Sequence, residues 1–332
     1  MSAPVIIGNA TLYLGDCIET MRRLPAGSVQ TCVTSPPYFG LRDYGHDGQI
    51  GLEQTPDEYV AKLVEVFREV RRVLRDDGTL WLNLGDSYAG GNTGGKWREG
   101  SARADGKVRG DGATSRRNRN GIGAVEGMKP KDLIGIPWRV AFALQADGWY
   151  LRSDIIWAKP SPMPESVTDR PTKAHEYIFL LSKSERYYYD AKAVAEEAIH
   201  AGEVRKATGA GAKNASLGRY GRTRMGFVER DTEIGDTRNA RSVWTIATRP
   251  YPGAHFATFP PELAERCILA GCPKGGTVLD PFAGSGTTGM VATGHGRHAV
   301  LIELNQDYAD LIRDRIGPML EETAYKAPTS TQ

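Results

Sequence analysis

Residues 277–289 read TVLDPFAGSGTTG, and they decide the fold. Thr277–Leu279 is a short apolar strand, Gly284-Ser285-Gly286 is a turn, and Thr287-Thr288-Gly289 opens a helix. Glycine lets the backbone pass close to a ligand, and a helix N-terminus offers free N–H groups and the positive end of a dipole. The next strand, His298–Glu303, ends on a carboxylate that can accept hydrogen bonds from two ribose hydroxyls. Asn305 then caps a last helix with Tyr308, Leu311, Ile312 and Ile316 on one face.

The same alternation runs outward from this segment. Val29–Thr34 is a strand that stops at a Pro-rich turn. Asp57–Leu74 carries Tyr59, Leu63, Phe67, Val70 and Leu74 at helical spacing, Asp76-Asp77-Gly78 ends that helix, and Thr79–Leu84 is a buried strand. Pro137 suits the first turn of a helix running to about Asp147, and Gly148 stops it. Leu151–Trp157 and Glu176–Leu181 are further strands. Strands alternating with helices predict an α/β fold with a mostly parallel sheet covered on both faces.

A glycine turn of this kind serves NAD, FAD and S-adenosylmethionine alike, or only a tight structural corner. The carboxylate of Asp280, placed just before the turn, favours S-adenosylmethionine: it would repel a pyrophosphate but suits a methionine amino group and a cationic sulfonium.

A second motif, Thr34-Ser35-Pro36-Pro37-Tyr38, follows the first long strand. Two prolines remove two N–H donors, so the turn presents carbonyls and the Ser35 hydroxyl. If Ser35 Oγ and the Pro36 carbonyl each accept one hydrogen of a base amino group, the nitrogen is drawn toward tetrahedral geometry and its lone pair is freed. Tyr38 offers a face on which an extruded base can stack. The bland alternative is a Pro-Pro turn that merely ends a strand.

Composition bounds the rest. The 332 residues, 40% hydrophobic and 25% charged, suit one large α/β domain with insertions or two small domains, and a net charge of +2 points to no partner. Cys17, Cys32, Cys267 and Cys272 have no CxxC spacing, so no metal site and a reducing, cytoplasmic setting are expected. The start, MSAPVIIGNATLYLGD, lacks the pattern of a signal peptide, and no run approaches the ~18–20 apolar residues of a membrane span. Local charge is more informative. Residues 90–128 include Arg116, Arg117 and Arg119; residues 200–241 include Arg219, Arg222 and Arg224, with Tyr220 and Phe227 interleaved. Both read as long surface insertions, either solvated faces or phosphate-neutralising segments.

TSPPY together with DPFAGSGTT resembles the DNA amino-methyltransferase family, in the permuted β-class order where the catalytic motif precedes the cofactor motif. Leu14-Gly15-Asp16 resembles the family's Gly-Asp, whose carboxylate contacts the cofactor adenine. Ile155–Pro160 (IIWAKP), with Trp157 and Lys159, resembles the motif lining the target-base pocket. His255–Pro260 (HFATFP), with Phe259, resembles the segment entering from the methionine side. The resemblance implies a Rossmann-like methyltransferase domain over residues 1–332, with a seven-stranded sheet and one reversed strand. It implies a cofactor site of Asp16, Thr34, Phe259, Asp280, Phe282, Gly284, Ser285, Gly286, Thr287, Thr288 and Glu303, and a catalytic Ser35-Pro36-Pro37-Tyr38. It further implies double-stranded DNA as substrate, a restriction–modification setting in a prokaryote or phage, a homodimer and a cognate restriction endonuclease.

The reaction so implied is direct displacement, the amino nitrogen attacking the sulfonium methyl. Methylation at cytosine carbon 5 would need a cysteine nucleophile after proline; Cys272-Pro273 is the reverse order. Within the resemblance, Ser-Pro-Pro-Tyr favours cytosine N4, and adenine N6 is the alternative. A non-catalytic DNA-binding protein would not need the two motifs, and a nicotinamide enzyme lacks a hydride-handling site here. An RNA or protein methyltransferase would share the cofactor chemistry. The first insertion is expected to close over the duplex and the second to read the site.

Overall fold

The computed structural model describes residues 3–41, 48–90, 125, 127–205, 232–233, 235–248 and 259–324. Two compact units arise, Met1–Tyr189 with Ser242–Gln332, and Asp190–Arg241. The second unit contains the expected insertion 200–241 and ten residues before it. The first insertion lies almost wholly outside the described residues, as do Arg116, Arg117, Arg119, Arg219, Arg222 and Arg224.

The first unit begins with β1 (Val5–Ile7), β2 (Ala10–Leu14), α1 (Cys17–Met21) and β3 (Val29–Thr34). It continues through α2 (Pro56–Val73), β4 (Leu74–Leu84), α3 (Ile136–Ala146), β5 (Tyr150–Ala158) and β6 (His175–Ser182). The second unit holds four two-residue strands: β7 (Glu196–Glu197), β8 (Val204–Arg205), β9 (Thr232–Glu233) and β10 (Thr237–Arg238). They pair as β7 with β10 and β8 with β9, both antiparallel. The chain then adds β11 (Val243–Thr245), α4 (Pro261–Gly271), β12 (Thr277–Asp280), α5 (Thr287–Gly294), β13 (His298–Glu303) and α6 (Gln306–Ala324) to the first unit.

The sheet order is β1-β2-β13-β12-β3-β4-β6-β5-β11. From β2 to β4 every pairing is parallel; β6 runs against both β4 and β5, and β11 is parallel to β5. The seven strands from β2 to β5 match the expected sheet with its single reversed strand. The count nevertheless differs: β1, a hairpin partner of β2, and the short β11 widen the edges to nine.

All six residues of β3 are buried, as a strand covered on both faces requires. Helix α2 starts at a capping box, the Thr55 hydroxyl accepting from Glu58 N at 3.2 Å while Glu58 accepts from Thr55 N at 3.1 Å. Its apolar stripe, Tyr59, Leu63, Phe67 and Val70, is fully buried. The expected stop at Asp76-Asp77-Gly78 is displaced. The chain is already extended at Leu74 (φ −67°, ψ 142°), where β4 begins, and the acidic pair sits where the β3–β4 register shifts. Leu74 satisfies helical periodicity with Val70 and the strand's burial at once, so periodicity alone could not separate the two.

Candidate functional site

The strands β2, β3, β12 and β13 deliver their carboxyl ends to one edge of the sheet, and a cleft opens there. With its mouth counted it encloses about 1130 Å³, enough for a nucleoside-sized ligand. Gly15 to Cys17 follow β2, Ser35 to Tyr38 follow β3, Pro281, Phe282, Gly284 and Ser285 follow β12, and Ile302 to Asn305 with Tyr308 come from the end of β13 and the start of α6. The two sequence motifs, some 245 residues apart, therefore share one cavity.

Beneath the floor a buried carboxylate joins them. Asp280 accepts from the Thr34 hydroxyl at 2.7 Å, the Thr288 hydroxyl at 2.7 Å and Phe282 N at 3.1 Å. Thr288 also reaches the Val33 carbonyl at 3.3 Å. Thr34, Asp280 and Thr288 are thus absent from the cleft lining that the sequence suggests; all three are buried, and both threonines bind Asp280. The physical reason is desolvation: it pushes the Asp280 carboxyl above its ordinary range, and only the three donors make its burial tolerable.

The glycine turn is shaped from both sides. Gly284 (φ 52°) and Gly286 (φ 77°) lie in the left-handed region. A Cβ at Gly286 would stand 3.0 Å from Ile312 of α6, whereas one at Gly284 would meet only the Phe282 carbonyl at 3.9 Å. Arg315 of α6 donates to the Ser285 carbonyl (3.1 Å), the Ser285 hydroxyl (2.9 Å) and the Thr287 hydroxyl (3.0 Å). Ser285 lines the cleft, whereas Gly286 and Thr287 do not.

Glu303 takes Gly284 N at 2.8 Å on one oxygen and Asn305 N at 2.9 Å on the other. Burial pushes its carboxyl up to about 7, and the backbone donors of Asn305 and Gly284 pull against that. Asp16 caps α1 through Glu19 N at 2.9 Å and also borders the cleft. Among the described lining residues Asp16 and Glu303 are the charged side chains, and Phe282 and Tyr308 add flat faces. An acidic, aromatic cleft suits a cationic or hydroxyl-bearing ligand and repels a pyrophosphate. Phe259 does not line it, and the preceding residues 251–258 lie outside the described set.

At the Ser-Pro-Pro-Tyr end, the Tyr59 hydroxyl of α2 donates to the Pro37 carbonyl at 2.8 Å and fixes the turn. The Tyr38 hydroxyl lies 2.7 Å from Glu176 Oε2 and 3.2 Å from Asn83 Oδ1, with the Ser35 hydroxyl 3.4 Å away. Burial and the neighbouring Glu176 charge push the Tyr38 phenol well above its ordinary pKa, so it remains a donor. Asn83 Nδ2 also reaches Glu176 at 3.1 Å, and Lys159 binds the other Glu176 oxygen. Trp157 and Lys159 do not border this cleft. Trp157 is 3% exposed with its indole N–H on the Ile246 carbonyl, and the Lys159 ammonium stands 4.4 Å over its ring. Glu176 and Asn83 escaped sequence reasoning. A lone amide inside the apolar strand Leu80–Leu84 was the available signal for Asn83.

The profile of the N6/N4 DNA methylase family matches residues 29–314. The chain belongs to that family. The methylase is 49% identical over 320 residues to the Type II methyltransferase M.Cfr9I of Citrobacter freundii, covering 95% of this chain and 90% of the relative. Among solved structures it resembles the PvuII DNA methyltransferase, described as cytosine-N4-specific, with TM-score 0.60 at 20% identity over 93% of this chain and 86% of the other. A Thermus thermophilus protein described as a DNA modification methylase by assignment, complexed with S-adenosyl-L-methionine, gives 0.54 at 22% identity over 92% and 94%. These two likenesses establish the methyltransferase fold. No described helix is long and apolar enough to cross a membrane, and no cluster of potential metal ligands occurs among the described residues.

Proposed function

We propose that this DNA methylase modifies the exocyclic amino nitrogen of cytosine, N4, at a specific duplex sequence, using S-adenosylmethionine. The observation that carries the reading is the shared cleft, which Ser35 and Pro36 line together with Phe282, Gly284 and Glu303. Bound there, S-adenosylmethionine supplies an electrophilic methyl group on a cationic sulfur. Asp16 and Glu303 would hold the adenosine end, Phe282 would pack on it, and the turn through Gly284 and Ser285 would receive the methionine portion.

The chain's own residues then act on the acceptor. Ser35 Oγ and the Pro36 carbonyl would accept hydrogen bonds from the two amino hydrogens, which localises the nitrogen lone pair for in-line attack. As the nitrogen–carbon bond formed the carbon–sulfur bond would break to a neutral thioether, and the methylated nitrogen would lose one proton to solvent. Tyr38 backs the base with a ring whose hydroxyl is fixed on Glu176. A neutral serine as first acceptor, where an aspartate would add a full charge, supports cytosine over adenine, as does the likeness to a cytosine-N4-specific enzyme. Trp157, buried with its indole N–H on Ile246, would act only as a support, holding against its ring the Lys159 ammonium that binds Glu176.

For DNA we assign Arg116, Arg117 and Arg119 of the first insertion to phosphate contacts, and Arg219, Arg222 and Arg224 of the second to the target-reading surface. A cognate restriction endonuclease and a homodimer complete the proposed setting. Nucleoside mass analysis of DNA from cells expressing the protein tests the reading: N4-methylcytosine is expected, and N6-methyladenine as sole product would refute it.

A further inference from the structure

Three polar side chains that neither of the family's two motifs contains, Asn83, Lys159 and Glu176, converge behind the Ser-Pro-Pro-Tyr turn. Glu176, the second residue of β6, uses Oε2 for Tyr38 and Asn83 and Oε1 for Lys159. Each oxygen of an ionised carboxylate only accepts, so every neighbour must point a hydrogen at it. The Tyr38 hydroxyl has a single hydrogen. At 2.7 Å from a carboxylate and 3.2 Å from an amide oxygen, that hydrogen goes to Glu176.

A directional consequence follows for Ser35. With its hydrogen committed to Glu176, Tyr38 offers only oxygen lone pairs to the Ser35 hydroxyl 3.4 Å away. Ser35 therefore turns its own hydrogen back toward Tyr38 and leaves lone pairs toward the cleft. Were Glu176 protonated, or changed by Glu176→Gln, an acid or amide hydrogen could point at Tyr38, Tyr38 could donate to Ser35, and Ser35 would present a hydrogen to the cleft. An amino group meets an acceptor in the first case and a competing donor in the second.

We propose that Glu176 is a positioning residue that sets the direction of the chain Ser35–Tyr38–Glu176, so that Ser35 faces the substrate as a hydrogen-bond acceptor. It touches no reacting atom and acts through Tyr38. This inference rests on the amino-group reading of the cleft.

The test is a double-mutant cycle on full-length protein, with duplex DNA and radiolabelled S-adenosylmethionine. Glu176→Gln is expected to lower kcat about 10- to 100-fold, the effect of one charge-assisted hydrogen bond. Affinity for S-adenosylmethionine should hold within about twofold. In a Tyr38→Phe background the same substitution should change kcat less than about twofold further, because the link is already cut. A purely structural role, holding Lys159 and Asn83, predicts the same loss in both backgrounds, and that result would overturn the proposal. So would a Glu176→Gln enzyme that keeps its kcat within about threefold. If Glu176→Gln alone melts more than about 10 °C low, the cycle is repeated on Lys159→Met, where no ammonium is left without its carboxylate, and the same outcomes decide. The wild-type product separates the two readings. Methyl at a base carbon ends the amino-group reading, whereas an N-methylated base with an additive cycle ends only this inference.

Discussion

Gly85, the first residue after β4, sits directly behind the Tyr38 ring. A Cβ there would stand 2.5 Å from Cε2, 3.0 Å from Cδ2 and 3.3 Å from Cζ of Tyr38. Gly85 has no left-handed φ, so Gly85→Ala adds bulk without backbone strain. Carbon atoms rest about 3.5 Å apart, so the ring must retreat by about 1 Å. A shift of that size directed away from Glu176 would stretch the 2.7 Å hydroxyl contact to at most ~3.7 Å, beyond a hydrogen bond. Overpacking of this size costs about 1–3 kcal/mol of stability, whereas a 1 Å displacement at a reacting centre costs up to about 100-fold in rate. Steady-state methylation of duplex DNA should thus show kcat falling about 10- to 100-fold, with the calorimetric affinity for S-adenosylmethionine within about twofold, because Gly85 does not line the cofactor wall. A Gly85→Ala enzyme with wild-type kcat and an undiminished melting temperature would refute the claim that Tyr38 must be held in place.

Other perturbations read other parts of the site. Asp280→Ala strands the donors of Thr34, Thr288 and Phe282 and should cost about 2–4 kcal/mol in urea unfolding; Asp280→Asn should cost less, because the Thr288 hydroxyl can turn and accept. Equal losses for the two would contradict the hydrogen-bond account. Arg315→Met should weaken S-adenosylmethionine about tenfold by loosening the glycine turn while sparing kcat, and an unchanged Kd would sever α6 from the cofactor site. Glu303 carries a folded pKa raised to about 7 against an ordinary 4.5, so its ionisation opposes folding: the penalty is absent below the lower value and complete once pH passes about 7. Ribose hydroxyls donating to it would favour the ionised form. Binding S-adenosylmethionine at pH 7 should therefore expel about half a proton, measurable by calorimetry in two buffers and lost in Glu303→Gln. No proton release by the wild type would remove Glu303 as the ribose acceptor.

The two short motifs were legible because their residue types are unusual where they stand. Prolines following a buried strand and glycines opening a helix leave few structures to choose from, and both were expected at one end of a parallel sheet. What escaped was of two kinds. Short elements gave no period: β1, β2 and α1 span three to five residues each, and α4 begins at a proline pair read only as the end of a cofactor segment. The roles of Thr34, Asp280 and Thr288 escaped because a carboxylate beside a glycine turn looks the same in sequence whether it faces a ligand or turns inward; only packing decides. The sequence pattern starts a strand at Glu176, one position after the start of β6, but nothing local to Glu176 points to Tyr38, 138 residues away.

The antiparallel run of β6 has its own consequence. The other strands of the parallel set bring side chains to the cleft edge only after crossing the sheet, so their influential positions lie just past the strand. β6 enters where they leave, and its opening residues, His175 to Tyr177, stand level with Leu84 and Trp157. For this one strand the sensitive positions precede the apolar run, and a mutational scan confined to the loops that follow strands would pass them by.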